Sequence, residues 1–550
     1  MANIPTKRGV PGVYLIENDL SQVVSPSIAL NVGVLISSRI GECETIISLG
    51  NETTFKQYFG EPTDINYDEW FNATRIFKYK VAGLGATLKT IRVVGENSTN
   101  TALSIKSDAV ATTTTNQLIK NKDEIDIVTV TFDEGSTLKL FSRYPTDVVY
   151  KVAIANVSDF ATADIKSGVS FKDNFDDVPE GTEIALAILD ANDNILEKFV
   201  VDLTKGNVDG FNQDTYIENV INEKSKYLFA FHDETTGTTV PSLEATPMVA
   251  GTYNAPVKGD YVNALKLFEN IDNVDINYIV ANPQVHEETM TLCSVRKDCT
   301  YRAGIPISLI LGVDETTATS NAVNYTTVTL NTNNTYGSMN ANALLIYDEY
   351  AKKNRWINCA GDMVGLRVRQ NLSAEPWFSD GGLNYGQLVD VKRFAQNWSP
   401  TAQKELIKAK MNPLISKPGR GKVKIEQHTY TAKNSALRDE NVRELLVYIW
   451  RASRVFLEWK LHEFNDEFTR ADVESQMNRF LGNIQDGRGI RRTESGGDGY
   501  RVRCDSTNNT DDVINQNMLV IDIAFLPARV ITEIFLRVNI MGNSVQLEMF

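Results

Sequence analysis

Residues 276–311 read INYIVANPQVHEETMTLCSVRKDCTYRAGIPISLIL. The first five residues form a mostly apolar run typical of a buried strand, and ISLIL at 307–311 forms a second one. Between these runs, 285–301 has the pattern expected of a helix. The order strand, helix, strand predicts parallel strands joined by a crossover helix.

The same alternation occurs nearer the N-terminus. Ile28–Ile36 and Leu88–Val94 are predicted strands, and Thr53–Phe59 is a predicted short helix. Because this pattern occupies 21–97 and returns in 205–345, we predict that these two segments form one middle α/β domain.

Residues 98–204 interrupt the α/β pattern. This segment is rich in Thr, Asp and Asn and contains no Trp, Cys or His. Its short strand-like runs, separated by turn clusters, predict an inserted all-β outer domain of sandwich or small-barrel type. The predicted strands are Ile125–Phe132, Leu138–Phe141, Val148–Val157, Ile184–Leu189 and Ile195–Leu203.

Residues 346–529 are predicted to form an inner C-terminal domain, which is helical and aromatic. Apolar residues that step by four and three predict one buried helix face. They are Leu445, Ile449, Ala452, Phe456 and Trp459. Asp472 is expected to cap a second helix.

Both ends of the chain are predicted to be extended arms. In 1–20, Gly9, Pro11 and Gly12 disfavour a helix, and the extended segment continues through Val13, Tyr14 and Leu15. In 530–550, Ile534, Leu536 and Val538 alternate with polar residues, which predicts a strand with one apolar face. An extended terminus needs hydrogen-bond partners in its own sheet or in a neighbour's.

The predicted fold class is therefore mixed α+β and multidomain, with α/β core domains, an inserted all-β outer domain and extended terminal arms. The 550 residues are 42% apolar, which suits several cores. The net charge is −15, which argues against direct nucleic-acid binding. The charge is uneven, because 2–345 has 26 basic and 44 acidic residues whereas 346–503 has 27 and 20.

The sequence carries no recognisable targeting segment. The first residues lack the apolar core of a secretory signal, and the longest nearly apolar stretch is far shorter than the ~20 residues of a membrane helix. No membrane insertion is expected. Five cysteines without a CxxC pair are read as reduced thiols of a chain that folds in cytoplasm.

A search for catalytic motifs predicts no enzyme. HEETM at 286–290 begins like the zinc motif HExxH but ends in Met, so we expect a helical, exposed histidine. GRGK at 419–422 lacks the spacing of a phosphate-binding loop. The adjacent carboxylates Asp439–Glu440 and Asp466–Glu467 are expected to lie on solvated faces. We therefore predict no catalytic residue, no metal site and no cofactor.

Several motifs occur in a fixed order along the chain. In the C-terminal third they are GDMVGLRVR at 361–369, PWF at 376–378 with Gly381–Gly382, NPLI at 412–415, PGRG at 418–421, NVR at 441–443, Phe464–Asn465, CDSTNNT at 504–510 and PAR at 527–529. Near the N-terminus they are PGVY at 11–14, Phe59–Gly60 and IRVV at 91–94. This ordered set resembles the contractile-tail bacteriophage sheath family, in the long-sheath branch of large lytic phages, and covers about 1–97 and 340–550. Two departures are Glu444, where the family has a second Arg after NVR, and Gln427-His428-Thr429, which replaces G-x-x-T.

The resemblance implies a structural role. Such subunits stack as hexameric rings around a tail tube and form a helical sheath, whose contraction drives the tube through the host envelope for genome delivery. The implied partners are further copies of the chain, the tail tube protein, and the baseplate and tail terminator proteins. The implied location is the virion tail, after assembly in the host bacterial cytoplasm.

Within that role, the arms would add strands to the sheets of neighbouring subunits, and Gly9, Gly12 and Pro527 are the candidate hinges. The positive 346–503 segment would face an acidic tube.

Two alternatives stay open at this point. The first is the sheath of a phage-derived contractile injection machine. A secretion-system sheath uses two shorter chains and bacteriocin sheaths usually lack so large an insertion, so a phage is favoured. The second is a hydrolase with a β-rich binding insertion, which predicts a pocket with perturbed titratable groups.

Overall fold

A computed structural model describes residues 30–532 of the chain. These residues fall into two compact units, one made of 30–448 together with 527–532 and the other of 449–526. Among the described residues, no helix is both long enough and apolar enough to cross a membrane.

The strands, in chain order, are β1 (Asn31–Ser37), β2 (Ile46–Leu49), β3 (Thr87–Val93), β4 (Asn100–Lys106), β5 (Ser136–Pro145), β6 (Lys151–Asn156), β7 (Asp164–Lys166), β8 (Val169–Ser170), β9 (Glu183–Leu189), β10 (Ile195–Asp202), β11 (Leu228–His232), β12 (Leu243–Pro247), β13 (Tyr278–Ala281), β14 (Thr300–Gly304), β15 (Gly337–Ala341), β16 (Ala343–Asp348), β17 (Lys353–Asn358), β18 (Arg393–Phe394), β19 (Met411–Lys417), β20 (Gly421–Lys424), β21 (Tyr500–Arg503) and β22 (Asp522–Phe525). The α-helices are α1 (Glu52–Phe59), α2 (Tyr67–Thr74), α3 (Phe171–Asn174), α4 (Ile217–Lys224), α5 (Lys258–Lys266), α6 (His286–Arg296), α7 (Glu315–Asn324), α8 (Ala360–Ser373), α9 (Gly382–Tyr385), α10 (Pro400–Lys408), α11 (Glu440–Glu458), α12 (Glu467–Asp486) and α13 (Asp511–Asn515). Short 3₁₀ helices occupy Arg75–Lys78, Lys122–Glu124, Pro283–Val285, Ile307–Leu309 and Ala436–Arg438, and Tyr325–Thr329 forms a π-helical turn.

An eight-stranded sheet organises the larger unit, in the order β2-β3-β1-β13-β14-β15-β19-β20. The six inner strands are parallel, and the two outermost strands run antiparallel to their neighbours. Helices α5, α6, α7 and α10 contribute to the core on one face, and α1, α2 and α8 contribute to the core on the other. The predicted parallel strands with crossover helices are confirmed. Strands β19 and β20 lie beyond residue 345, so the sheet contains strands from both of the domains that the sequence separated at this residue.

The predicted strand at 307–311 is wrong, because Ile307–Leu309 forms a 3₁₀ helix after Pro306. The strand that follows α6 is β14, which begins at Thr300, within the last two residues of the predicted helix. Lys297 adopts a left-handed conformation with φ of 64° and donates its N–H to the carbonyl of Cys293, which ends the helix early.

The insertion contains two larger sheets, in the orders β10-β9-β6-β12 and β11-β5-β4, and a two-stranded sheet of β7 and β8. Both larger sheets contribute to one apolar core, with Leu140 from β5 of the three-stranded sheet and Ile154 from β6 of the four-stranded sheet among its members. This arrangement is a sandwich, one of the two types expected, and strands are present at the positions expected for 138–141, 148–157, 184–189 and 195–203. The sheets also include β11 and β12, which lie beyond residue 204. The strand predicted at Ile125–Phe132 is absent from the structure, where 125–127 form a turn and 128–132 have no regular secondary structure.

Residues 449–526 contain the last part of α11, then α12, β21, α13 and β22. The predicted apolar face of α11 is only partly buried, because Trp459, just beyond the helix, is 80% exposed. The expected cap at Asp472 is wrong. The capping residue of α12 is Asp466, whose side chain accepts a hydrogen bond from the Thr469 N–H at 2.8 Å.

Candidate assembly site

The residues predicted to form the assembly arms are Val13, Tyr14, Leu15, Ile534, Leu536 and Val538; they lie, with Gly9 and Gly12, outside the described residues. The third hinge candidate, Pro527, is described. It follows β22 and stands where the chain leaves the 449–526 unit. The hinge role of Pro527 and the roles of the arms remain predictions.

Within 449–526, strands β21 and β22 form an antiparallel pair, with Tyr500 opposite Phe525 and Arg503 opposite Asp522. Among residues 30–532 no third strand joins this pair. A sheet of two strands is marginally stable on its own, and its outer edges can accept a further strand. This small sheet is therefore the candidate acceptor of an arm.

One face of the small sheet is buried and the other is open. Val502 is buried, and helix α12 supplies the apolar side chains of its unit through Val473, Met477, Leu481 and Ile484. On the open face, Arg503 and Asp522 form an exposed ion pair of 2.7 Å. The sheet is thus supported from one side, and the described strands leave it with two members only.

The chain that leaves the small sheet is attached to the start of α11. The side-chain amide of Asn441 donates a hydrogen bond of 3.0 Å to the carbonyl of Ala528, immediately after Pro527. Gln427 in turn donates to the side-chain oxygen of Asn441 at 3.1 Å. Asn441 belongs to the NVR motif, and Gln427 is one of the two departures from the family pattern. Together they fix the point from which the C-terminal segment begins.

A group of buried charges, here called the ionic cluster, surrounds the first turns of α11. Its members, each no more than 5% exposed, are Arg302, Arg367, Asp380, Lys424, Glu440 and Glu444. Lys424 Nζ lies 2.8 Å from Asp380 and 2.7 Å from Glu440. Arg302 lies 2.9 Å from Glu444. Three cations and three carboxylates therefore balance one another.

Electrostatics keep the ionic cluster charged despite its burial. Burial alone would raise the pKa of the Asp380 carboxyl, but the charges of Lys424 and Arg302 outweigh it and hold that pKa below its usual range. Burial alone would lower the pKa of Arg302, and Glu440 and Glu444 reverse this effect. Removing one member would leave an opposite charge uncompensated in the interior. The expectation that Glu440 is solvated is wrong, because it joins this cluster.

The GDMVGLRVR motif makes close contacts between helices. A Cβ at Gly361 would lie 1.9 Å from the carbonyl oxygen of Asn72, at the end of α2. Next to it, Asp362 forms a bidentate pair with Arg75, with both N–O distances at 2.7 Å. A glycine and a carboxylate at these positions let α8 approach α2 closely. This part of the motif therefore stabilises the packing of the two helices.

The carboxyl ends of β1 and β13 mark the place where open α/β sheets commonly bind ligands. Here a cavity of about 20 Å³ remains, which is room for about one water molecule. Glu69 fills much of the space and accepts hydrogen bonds from Ser37, Tyr261 and Asn282. Side chains therefore occupy the position at which a nucleotide would bind.

The remaining sequence candidates lie apart from one another. His286 starts α6 but is buried rather than exposed; it contacts the Tyr325 hydroxyl at 2.8 Å, and burial lowers its pKa to about 4. The GRGK segment forms the tip of the β19–β20 hairpin. Within the described part of the chain, no group of His, Cys, Asp and Glu could hold a metal ion.

Reasoning from the sequence missed the ionic cluster. Arg302 and Glu444 are 142 positions apart, and no local spacing connects them. The one available signal was Glu444 itself, an acid where the resembling family has a base. In this chain Glu444 accepts hydrogen bonds from Thr300 and Arg302.

The chain is similar to proteins of known identity. The family model described as phage tail sheath C-terminal domain matches residues 432–541. The tail sheath protein of Vibrio phage KVP40 is 28% identical over 396 residues, covering 66% of this chain and 56% of that protein. The tail sheath protein of Enterobacteria phage T4 is 29% identical over 374 residues, covering 64% of this chain and 54% of that protein. The chain thus spans about half the length of these curated relatives.

A solved structure is similar in fold. The sheath tail protein of Desulfitobacterium hafniense matches with a TM-score of 0.52 at 11% identity, covering 90% of this chain and 93% of the other. The mixed α/β fold class predicted from the sequence is confirmed.

Proposed function

From its relationship to the phage tail sheath proteins, which the ordered motifs predicted, we propose that this chain is a structural subunit of a contractile phage tail sheath. In this proposal, copies stack as hexameric rings around a tail tube. Contraction of the sheath drives the tube through the host envelope and delivers the genome. The role is structural, and the energy comes from new contacts between subunits rather than from a catalysed reaction.

The small sheet of β21 and β22 carries this proposal. Its edges lack a third strand among residues 30–532, and the C-terminal segment leaves it from a point fixed by Asn441. The terminal sequence around Leu536 has the alternation of a strand that buries one face, and the sequence around Val13 is a short apolar run. An arm of one copy would add to the small sheet of another through main-chain hydrogen bonds, while its side chains set the register. Pro527, Gly9 and Gly12 would serve as hinges.

The charge distribution supports the proposed arrangement of partners. The positive balance of 346–503 suits a surface that faces an acidic tube, and the acidic sandwich suits an outer position. The proposed partners are further copies of the chain, the tail tube protein, and the baseplate and tail terminator proteins. Assembly would take place in the host cytoplasm, and the finished sheath would belong to the virion.

Negative-stain electron microscopy tests the proposal. The full chain is compared with a variant that lacks 1–18 and 530–550, each expressed with and without the tube protein of the same phage. We expect tubes of stacked rings from the full chain and dispersed particles from the shortened one. Dispersed particles from the full chain even with the tube present would contradict the sheath role, and tubes from the shortened chain would contradict the role of the arms.

A further inference from the structure

The segment Ile125–Phe132 reads IDIVTVTF, and its β-branched residues strongly favour a strand. In the structure 125–127 form a turn after a 3₁₀ helix, 128–132 have no regular secondary structure, and the segment joins neither sheet of the sandwich. Its apolar side chains pack at the margin of a small core that includes Phe141 and Phe231. A strand-like segment is thus held against the sandwich without a strand partner.

One edge of this segment is closed by side chains. Gln117 accepts a hydrogen bond from the Thr131 N–H at 3.0 Å and donates one to the Thr129 carbonyl at 3.2 Å, as a neighbouring strand would. Lys139 donates to the Thr131 carbonyl at 2.6 Å. Residues 129 and 131 therefore direct their main-chain groups toward the sandwich.

The opposite edge is open. No described residue pairs with the N–H or carbonyl of Val130 or with the N–H of Phe132. Because successive residues of an extended chain present their main-chain groups to alternate sides, these groups share the edge that faces away from Gln117. An open edge of this kind is a template for an added strand.

A cleft of about 790 Å³ lies between this segment and helix α4. Its volume is within the range of ligand sites in proteins. The apolar side chains that line it are Ile125, Val128, Val130, Phe132, Val220 and Phe231.

On the far side of the cleft, α4 closes the edge of β11. Asn222 exchanges two hydrogen bonds with the main chain of Ala230, and Glu218 accepts one from the His232 N–H. Because side chains of α4 already bond to this edge of β11, the main-chain groups left without a described partner along the cleft belong to the 125–132 segment.

The charge of the cleft restricts what can bind. Four acidic residues line it, namely Asp126, Asp214, Glu218 and Glu223, against Lys122 and Lys224. This surplus of negative charge opposes an anionic ligand and favours a cationic one.

Exposed apolar side chains stand beside the lining residues. Ile127 is 81% exposed, and Phe211 is 88% exposed. Phe211 sits on a turn in which Asp209 accepts hydrogen bonds from the N–H groups of Phe211 and Gln213. Gln213, two residues after Phe211, lines the cleft.

We propose that this cleft binds an extended peptide segment of a partner protein, with alternating basic and apolar residues, as a strand added to the Val130–Phe132 edge. The main-chain groups of Val130 and Phe132 pair with the peptide. Its basic side chains meet the acidic residues, and its apolar side chains meet the apolar lining. The insertion is then a docking module as well as an outer domain, whether or not the chain assembles into a sheath.

The test uses the full chain and a fluorescent peptide of sequence KVKVKVK as the probe, with EVEVEVE and a proline-interrupted KVKPKVK as controls. Fluorescence anisotropy measures binding, and hydrogen–deuterium exchange measures protection of the Val130 and Phe132 amides. We expect the first peptide alone to bind and to slow exchange at both amides. Glu223→Lys and Val130→Pro should each weaken binding at least tenfold. The matched control Glu180→Lys, an exposed acid outside the cleft, should leave binding unchanged.

Circular dichroism confirms that each variant keeps its secondary structure. Absence of binding, or binding without protection of these amides, would overturn the proposal. If Glu223→Lys and Glu180→Lys weakened binding equally, the peptide would be responding to the net charge of the protein and not to the cleft. That result would also overturn the proposal. Binding of neutral bacterial-surface oligosaccharides in a parallel titration, with no peptide binding, would identify a saccharide site instead.

Discussion

The side-chain amide of Asn441, in the first turn of α11, donates a 3.0 Å hydrogen bond to the main-chain carbonyl of Ala528. The two residues lie 87 positions apart. The bond ties the start of a buried helix to the chain that leaves the small sheet, and Gln427 keeps the Asn441 side chain in place. The ionic cluster fixes the same end of α11 through Glu440 and Glu444. The C-terminal arm would therefore depart from a rigid point.

Replacement of Asn441 by Ala should release the segment around Ala528. Loss of one hydrogen bond costs about 1 kcal/mol, which corresponds to about a fivefold larger population of the released state. Trypsin cleavage after the exposed Arg529 should accelerate by that factor. Cleavage after the exposed Lys172, in the insertion, is the control within the same digest and should not change. An unchanged rate at Arg529 would show that the bond does not hold the segment.

Replacement of Lys424 by Met should destabilise the larger unit strongly. Asp380 and Glu440 would lose the ammonium group that lies within 2.8 Å of both, and breaking a buried pair costs about 3–5 kcal/mol. Lys422, two residues earlier on β20, is the matched control, and its replacement by Met should change the free energy of unfolding by about 0.5 kcal/mol or less. Urea unfolding measures both variants. Equal effects would mean that the ionic cluster contributes nothing specific.

Replacement of Gly361 by Ala should prevent the close approach of α8 and α2. The new Cβ would lie 1.9 Å from the Asn72 carbonyl oxygen, so one helix would have to move. We expect a loss of about 1–3 kcal/mol or more, as in overpacked cores. Gly259→Ala, in α5, is the control. A Cβ there meets no atom within 4 Å, so this change should stabilise the protein by about 0.5–1 kcal/mol. In thermal unfolding, the midpoint temperature should fall for Gly361→Ala and rise for Gly259→Ala.

Stability should depend on pH through Asp68. Burial raises the pKa of its carboxyl to about 6, from 3.8 in the absence of the fold. The folded protein binds this proton more tightly, so the contribution of Asp68 to stability is complete below pH 4 and is lost as pH rises through 6.

The variant Asp68→Asn removes that titration. The free energy of unfolding of the variant relative to the unmodified protein should rise from pH 4 to pH 6 and then remain level. Burial lowers the pKa of His286 to about 4, so titration of His286 makes stability rise with pH. Both proteins contain His286, and its contribution therefore cancels when their free energies of unfolding are subtracted. Urea unfolding at pH 4, 5, 6 and 7 measures the difference; a constant value would contradict the assignment.

The sequence predicted the α/β sheet because fully buried strands such as β13 appear as apolar runs. The same rule failed at 307–311, because a short apolar run also suits a partly exposed 3₁₀ turn, and Pro306 favours the turn. At Ile125–Phe132 the β propensity was recognised correctly, but propensity does not determine whether a neighbouring strand is present.

The site was less accessible to sequence reasoning than the fold. Gly361 and Asp362 were recognisable as parts of a motif, but their contacts with Asn72 and Arg75 depend on how two distant helices pack. The ionic cluster joins β14, α8, β20 and α11, whose charges become partners only after folding. Asn441 was noticed for its resemblance to NVR, and its bond to Ala528 became apparent only in the structure.

Cross-linking between two differently labelled copies tests the central claim most directly. One copy carries Ile534→Cys, Leu536→Cys or Val538→Cys, and the other carries Arg501→Cys on β21 or Ala524→Cys on β22; the native cysteines are buried. After the copies are assembled together around the tube, oxidation should yield dimers of the two species, and Glu180→Cys as acceptor should yield none. Tubes that form without any dimer from these pairs would contradict strand addition by the C-terminal arm.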